Sequence, residues 1–116
     1  MSATQTTEVT STFRRTPAYR YVRVADRLPI DIDRTKDLFE VLLPVRLFNP
    51  TGGDTWWLAS YNPETRVAFG VAETIERTVG SIDLTELVEY RGFLGLPIER
   101  DLHYSVKTMG DVMAEE

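Results

Sequence analysis

Residues 54–74 read DTWWLASYNPETRVAFGVAET, and this stretch decides the fold. Two runs of aromatic, β-branched and small apolar residues flank Asn62-Pro63-Glu64-Thr65, where asparagine opens a turn and proline presets the next backbone dihedral. The pattern predicts an antiparallel hairpin with strands at 54–61 and 66–74. With Asn62 facing Thr65, three cross-strand pairs form the core side of the hairpin: Trp56 with Val71, Leu58 with Phe69, and Ser60 with Val67.

The opposite face of the predicted hairpin has an unusual composition. Because side chains alternate along a strand, Trp57, Tyr61 and Arg66 would project together over a floor of alanine and glycine. Either a helix packs closely on that floor or a ligand binds there, and both interpretations stay open. Under the second, Trp57, Tyr61 and Arg66 form a binding surface.

Two short helices and several strands are predicted outside the hairpin. Asp83, with Glu86 three positions later, is typical of a helix start, and Gly92 is typical of a helix end. A helix over 35–43 would carry one apolar stripe. The predicted fold class is α+β, a small antiparallel sheet of about four to five strands with two short helices. The remaining strands are predicted at 19–24, 45–48, 79–82 and 99–106.

The length and composition predict one domain with two tails. A chain of 116 residues has the size of one ordinary domain. Residues 1–12 are predicted to be a disordered tail, 13–108 a single α+β domain, and 109–116 a flexible C-terminal tail. No apolar run approaches the ~18 residues that crossing a bilayer demands, so no membrane association is expected. The chain has no cysteine and no signal-peptide pattern, so a cytoplasmic location is expected.

Charge is distributed unevenly along the chain. Thirteen basic and eighteen acidic side chains give a formal net charge of −5, the wrong overall sign for wrapping nucleic acid. A basic N-terminal arm, residues 13–27, nevertheless contains five arginines and one acid, Asp26. The arm either docks on the acidic remainder of the chain or uses Arg20 and Arg23, interleaved with tyrosines, to contact single-stranded nucleic acid.

One polar cluster could carry chemistry. Glu99, Asp101 and the only histidine, His103, would share one side of an extended segment and could bind a divalent metal. Strand geometry separates the outer two by about 13 Å, which argues against a shared ion. The competing interpretation is a polar strand edge on which Arg100 pairs with a carboxylate elsewhere.

Motifs of the common enzyme classes are missing. With no cysteine and one histidine, a nucleophilic serine would have to recruit His103, and no serine lies in a nucleophile-elbow pattern. Thr51-Gly52-Gly53 lacks the lysine and flanking glycines of a phosphate-binding loop. These observations favour a protein that is not an enzyme and that uses no cofactor.

Short motifs between residues 44 and 104 carry a family resemblance. The most specific is Arg91-Gly92 followed by Gly95-Leu96-Pro97-Ile98-Glu99-Arg100-Asp101-Leu102-His103-Tyr104. The chain resembles domain-of-unknown-function family 2958, whose members are small proteins coded mostly on plasmids, phages and conjugative elements. The resemblance implies a role on a mobile element and no particular activity. The other motifs are Phe48-Asn49-Pro50, Thr55-Trp56-Trp57, Pro63-Glu64, Phe69-Gly70 and Leu84-Thr85-Glu86-Leu87.

Two functional hypotheses follow. The first is a non-enzymatic accessory binding module of a mobile genetic element, a plasmid or phage, which binds a protein or single-stranded nucleic acid. The alternative is a small metal-assisted hydrolase that uses Glu99, Asp101 and His103. The binding residues of the first hypothesis are Trp57, Tyr61 and Arg66 on the sheet, with Arg20 and Arg23 of the arm.

Overall fold

The computed structural model describes residues 9–10 and 20–115. Among these residues, none of the helices has the length and apolar character that crossing a bilayer requires. The helices are α1 (Leu84–Glu89) and α2 (Met109–Ala114). The strands are β1 (Val9–Thr10), β2 (Arg20–Val22), β3 (Leu42–Leu43), β4 (Val45–Phe48), β5 (Thr55–Asn62), β6 (Val67–Glu73), β7 (Arg77–Asp83), β8 (Glu99–Arg100) and β9 (Lys107–Thr108).

Five strands form one antiparallel sheet in the order β7-β6-β5-β4-β8. Two further antiparallel pairs, β1 with β2 and β3 with β9, form separate ribbons. The long strands β5, β6 and β7 follow one another through hairpins, whereas β8 returns from the C-terminal half to pair with β4. The predicted α+β class, with its antiparallel sheet and two short helices, is confirmed.

The central strand β5 is buried on both faces, since every residue from Thr55 to Tyr61 is buried. A strand in this position must bury both sets of alternating side chains, and each face of the sheet therefore has its own core. The first core, on the face covered by α1, contains Tyr21, Val22, Val45, Leu47, Trp56, Leu58, Tyr61, Ala68, Ile82, Leu84, Leu87, Val88 and Ile98. The second core, on the face covered by α2, contains Ile32, Leu43, Trp57, Ala59, Val71, Met109 and Val112.

Helix α1 begins as the sequence predicts. The Asp83 carboxylate caps it by accepting a hydrogen bond from the Thr85 amide at 2.9 Å. The helix ends at Glu89, earlier than the predicted end at Gly92. Its predicted apolar stripe is buried in the first core and consists of Leu84, Leu87 and Val88.

The helix predicted over 35–43 is wrong. The segment instead contains a 3-10 turn at Leu38–Glu40, followed by strand β3. The Asp37 carboxylate accepts a bond from the amide two residues later, and such local bonds compete with an α-helix. The Val41 carbonyl accepts a hydrogen bond from the Met109 amide at 2.7 Å instead of from an intrahelical donor. The pairing of β3 with β9 therefore outweighs the helical spacing of apolar residues over 35–43.

The flexible tail predicted for residues 109–116 is also wrong, because residues 109–114 form α2. The Thr108 hydroxyl accepts from the Asp111 amide, and the Asp111 carboxylate accepts from the Thr108 amide, which makes a capping box. At the other end, the Arg77 guanidinium of β7 donates to the carbonyls of Val112 and Glu115 at 2.6 and 2.7 Å. A helix this short is unstable alone, so these distant contacts hold it in place.

The remaining strand predictions are confirmed with shifted bounds. Strands β2, β4 and β7 occupy the predicted positions, whereas the predicted strand at 99–106 is reduced to β8, and β9 begins only at Lys107. Within the predicted N-terminal tail, residues 9–10 form β1, and its other residues lie outside the described part of the chain.

A buried ion pair joins the N-terminal arm to the sheet. The Arg100 guanidinium donates two hydrogen bonds to the Asp26 carboxylate, both at 2.6 Å, and both side chains are only 8% exposed. Arg100 also donates to the Tyr21 carbonyl at 3.0 Å, and the Arg23 amide donates to Asp26 at 2.6 Å. The interpretation in which Arg100 pairs with a distant carboxylate is confirmed. In this pair the acidic partner, Asp26, belongs to the arm and the basic partner, Arg100, belongs to the body of the domain.

We expect Asp26→Asn to lower the free energy of unfolding by about 3 kcal/mol at pH 7, because it removes the negative charge from a buried ion pair that is joined by two hydrogen bonds. Burial alone would raise the pKa of Asp26, but the bonds and charge of Arg100 and the Arg23 amide hold it below the ordinary 3.8. The pair therefore stabilises the fold above that pH, and the stabilisation is lost as the pH falls through the folded-state pKa.

Urea unfolding of both proteins between pH 7 and pH 3 measures this effect. The difference between wild type and Asp26→Asn should shrink as the solution is acidified. Asp31→Asn, which disrupts the exposed pair with Arg34, is the control and should change stability much less, because solvent screens an exposed pair. Equal losses in the two variants would contradict a special role for the buried pair.

Strands β5 and β6 approach each other closely at Gly70. A β-carbon built on Gly70 would lie 1.9 Å from the Trp57 carbonyl oxygen in the neighbouring strand. At Gly80, the cross-strand neighbour of Gly70 on β7, the same position has no atom of the described residues within 4 Å. Only the first glycine is therefore required for packing.

We expect Gly70→Ala to lower the free energy of unfolding by about 2 kcal/mol or more, because the backbone of β5 must move. Gly80→Ala is the matched control, and it should stay within about 1 kcal/mol of the wild type because its methyl group enters open space. Denaturant midpoints measure both changes. The same midpoint for the two variants would show that the close approach at Gly70 is wrong.

Candidate functional site

The predicted binding face is not formed. Trp57 and Tyr61 are 4% and 3% exposed, and they lie in different cores on opposite sides of the sheet. Trp57 belongs to the second core with Met109 of α2, and Tyr61 belongs to the first core. The prediction that both rings share one open face with Arg66 is therefore wrong.

A β-bulge separates the two rings. The register between β5 and β6 shifts between Leu58 and Ser60, so one extra residue is inserted into β5. Across the bulge the strict alternation is broken, and Tyr61 packs in the same core as Leu58, whereas Ala59 packs with Trp57. One inserted residue thus converts a predicted aromatic surface into two cores.

The hairpin turn also differs from the prediction. Asn62 pairs with Val67 and does not face Thr65, so the predicted cross-strand pairs do not form. Arg66 is exposed and closes the turn with a φ of 62° in the left-handed region, and its amide donates to the Asn62 carbonyl at 2.7 Å. Burial raises the pKa of the Tyr61 hydroxyl, although the charge of Arg66 acts in the opposite direction. Tyr61 is therefore a neutral core residue.

The two arginines predicted from the arm lie in β2 and directly after it. Arg20 is the first residue of β2, and Arg23 is an exposed residue whose backbone amide bonds to Asp26. Within residues 20–115, the Arg23 guanidinium forms no ion pair with a carboxylate. The described part of the arm is attached to the body through Asp26 and through the buried side chains of Tyr21 and Val22.

Glu99, Asp101 and His103 do not assemble into a metal site. The Asp101 carboxylate accepts hydrogen bonds from the Arg46 guanidinium and from the His103 backbone amide, each at 2.9 Å. Across the described ranges, no group of three histidine or acidic side chains is arranged to hold a metal ion. The segment is a polar edge in which Asp101 is already engaged in an ion pair.

A group of exposed apolar side chains lies on the connection between α1 and β8. We call residues 92–96 the apolar loop. Phe93 and Leu94 are 72% and 78% exposed, and Leu96 beside them is 37% exposed. Large apolar side chains this accessible and adjacent in sequence are typical of interaction sites.

The backbone of the apolar loop is fixed in an unusual conformation. Leu94 and Gly95 have φ angles of 63° and 73°, both in the left-handed region. That region is costly for leucine because its β-carbon crowds the following carbonyl. Two hydrogen bonds close the loop: the Gly92 amide donates to the Leu96 carbonyl, and the Gly95 amide donates to the Gly92 carbonyl, both at 2.9 Å.

The base of the apolar loop contacts the turn between β4 and β5. The Asn49 side-chain amide donates to the Tyr90 hydroxyl at 3.2 Å, and the Asn49 side-chain oxygen Oδ1 accepts from the Thr51 amide and hydroxyl, each at 3.0 Å. A β-carbon on Gly92 would lie 2.9 Å from the Thr51 hydroxyl, so the chain passes close to this turn. The turn between β4 and β5 therefore holds the base of the loop in place, while the apolar side chains of the loop point to solvent.

A second candidate is a shallow groove of about 330 Å³ on the second face. Its charged groups are Asp31 and Arg34, which pair with each other at 2.9 Å. The Arg34 guanidinium also lies 5.0 Å from the centre of the Phe69 ring. The groove therefore offers hydroxyl and amide groups and no net charge. Its lining residues are Ile30, Asp31, Arg34, Ser60, Asn62, Thr65, Val67, Ala68, Phe69 and Ser81.

The family model described as "Protein of unknown function (DUF2958)" matches residues 20–115. The chain belongs to this family. The match includes the five-stranded sheet, the apolar loop and α2, and so extends beyond the motifs recognised in the sequence. No curated protein and no solved structure matches the chain.

Sequence reasoning on this DUF2958 chain did not assign the apolar loop a role. The run Phe93-Leu94-Gly95-Leu96 was noticeable as three large apolar residues around a glycine just before a proline. Apolar runs of this kind usually belong to the core, and a sequence does not show in which direction a left-handed residue points. The weak signal was the absence of either helical or strand periodicity across the run.

We expect Trp57→Ala to lower the free energy of unfolding by about 3–5 kcal/mol, because the indole fills the second core. Ile75→Ala is the control, since Ile75 is fully exposed and its truncation should change stability by about 0.5 kcal/mol or less. Thermal and urea unfolding measure both changes. A Trp57→Ala variant as stable as the wild type would restore the open-face prediction.

Proposed function

We propose that this protein is a non-enzymatic binding module that presents the apolar loop to a protein partner. The observation that carries the proposal is the exposure of Phe93 and Leu94 on a backbone held in a left-handed conformation. In a monomer, Phe93 and Leu94 remain in water, so these side chains add little hydrophobic stabilisation to the fold. Their benefit would come from contact with another molecule.

The backbone conformation supports the proposal. A glycine at position 94 would adopt a φ of 63° without the steric cost that leucine carries. Strained residues of this kind persist where the surrounding structure holds them, and they concentrate at functional sites. Because the loop is already closed by hydrogen bonds, little conformational entropy would be lost when a partner binds.

The chemistry of the loop favours a protein over a nucleic acid. Binding to nucleic acid depends on arginine and lysine side chains that contact phosphates, whereas the exposed groups at 93, 94 and 96 are apolar. The chain also carries a net charge of −5. A phenyl ring and two leucines match an apolar pocket on a protein surface, where such anchors supply most of the binding energy.

We further propose that the module is an accessory component of a mobile genetic element and acts in the cytoplasm. The first part rests on the resemblance to proteins of plasmids and phages, and the second on the cysteine-free composition.

Photo-crosslinking in the native cell tests the partner class. A benzoyl-phenylalanine at position 93 should give one defined protein adduct on irradiation, because Phe93 would lie in the partner's pocket. The same residue at position 75, which is fully exposed on the turn between β6 and β7, is the matched control and should not give that adduct. Nucleic-acid adducts, or identical protein adducts at both positions, would contradict the proposal.

We expect Leu94→Gly to lower the adduct yield strongly while leaving the fold intact. Removing one anchor side chain should weaken binding about tenfold or more, since a buried anchor contributes about 2 kcal/mol or more. Stability should stay within about 1 kcal/mol of the wild type, because glycine relieves the left-handed strain. Leu102→Gly removes an exposed leucine outside the apolar loop and should leave the adduct unchanged. Full adduct yield with Leu94→Gly would remove Leu94 from the interface.

A further inference from the structure

The two edge strands of the five-stranded sheet differ in how readily another strand could pair with them. Strand β8 at one edge is two residues long, whereas β7 at the other edge is seven residues long. Short edges do not template further strands, but a long regular edge does unless it carries proline, lysine or a bulge. β7 reads RTVGSID, and all seven of its residues pair with β6 in an unbroken register. It carries none of these three, and its charged residues, Arg77 and Asp83, stand at its two ends.

The backbone groups on the outer edge of β7 can be assigned. The Leu84 amide donates to the Arg66 carbonyl, and the Thr74 amide donates to the Glu76 carbonyl, which fixes the alternation of the ladder between β6 and β7. Thr78, Gly80 and Ile82 therefore direct their backbone groups toward β6. The amides and carbonyls of Val79 and Ser81 point outward, and no other strand of residues 9–10 and 20–115 pairs with them.

The sequence of β7 is complementary to itself in the antiparallel direction. Around Gly80 as the centre, Val79 lies opposite Ser81 of a second copy, and Arg77 lies opposite Asp83 of that copy. The outward-facing residues thus form the hydrogen-bonded pairs of an antiparallel ladder. Unlike charges lie at both ends of this register, whereas a parallel alignment would bring like charges together. The Arg77 guanidinium already pairs with Glu73 and caps α2, so the register depends chiefly on the backbone ladder.

We propose that β7 pairs with β7 of a second copy, so that two five-stranded sheets form one continuous ten-stranded sheet. The contact is isologous, with a two-fold axis between the two Gly80 residues. At this axis the open space above Gly80 lets the two strands approach without a side-chain clash. The same pairing brings Ile75, which is fully exposed in one copy, toward the start of α1 in the other.

Sedimentation measurements on wild type, Ser81→Lys and Ser105→Lys test the proposal. Both serines are exposed, and the two substitutions change the net charge equally, but only Ser81 lies on β7. We expect a dimer for the wild type and Ser105→Lys. In Ser81→Lys the dissociation constant should rise at least tenfold, because a lysine on the edge opposes strand pairing.

Hydrogen exchange gives a second readout that does not depend on a variant. In concentrated wild-type protein, the amides of Val79 and Ser81 should exchange at least tenfold more slowly than in dilute protein. Thr78→Lys, on the other face of β7, replaces Ser81→Lys if the latter fails to fold. A wild type that stays monomeric up to about 1 mM, or a dimer unaffected by either β7 variant, would overturn the proposal.

Discussion

The bulge at Ala59 and Ser60 determines where the side chains of the central strand lie. Upstream of it, Trp57 packs into the second core, and downstream of it, Tyr61 packs into the first. Both faces of β5 are buried from Thr55 to Tyr61, and each needs its own cover. The first face is covered by α1, and the second by α2, a helix that depends on Arg77 of β7 for its C-terminal cap.

This arrangement restricts where the protein can contact other molecules. Trp57 and Tyr61 are used for stability, so neither ring is available as a binding surface, and the second face offers the shallow groove beside Arg34. Exposed apolar groups and unpaired backbone groups lie instead on the connections and the edge, above all in the apolar loop and along β7. The two places are chemically distinct, since one offers side chains and the other offers a hydrogen-bonding strand. A dimer through β7 would carry two copies of the apolar loop, which would raise the avidity for a partner with repeated sites.

Much of the fold could be predicted from the sequence because the signals were local. The hairpin was visible from Asn62-Pro63 between two β-prone runs, and α1 from the cap at Asp83. The pairing of Arg100 with a distant carboxylate was expected for a polar strand edge, and Asp26 is that carboxylate. The features that could not be predicted depend on contacts far apart in sequence. A bulge adds one residue without a clear sequence mark, and α2 is stabilised by a strand more than thirty residues away.

The candidate site was missed for a related physical reason. Strict alternation of side chains along β5 predicted one aromatic face. The bulge interrupts that alternation, so Trp57 and Tyr61 lie on opposite faces and the predicted surface does not form. Phe93 and Leu94 gave no comparable pattern, because their exposure results from the left-handed backbone at Leu94 and from the support of the turn at Asn49. Neither is visible in a one-dimensional pattern of polar and apolar residues.

Tryptophan fluorescence of a Trp56→Phe variant tests most directly that β5 is buried on both faces, because Trp57 is then the only tryptophan. The folded protein should show emission shifted to shorter wavelength than the urea-unfolded chain, and quenching by acrylamide should be several-fold weaker. A variant that is fully folded by circular dichroism, yet emits and is quenched like the unfolded chain, would place Trp57 in solvent and contradict the account.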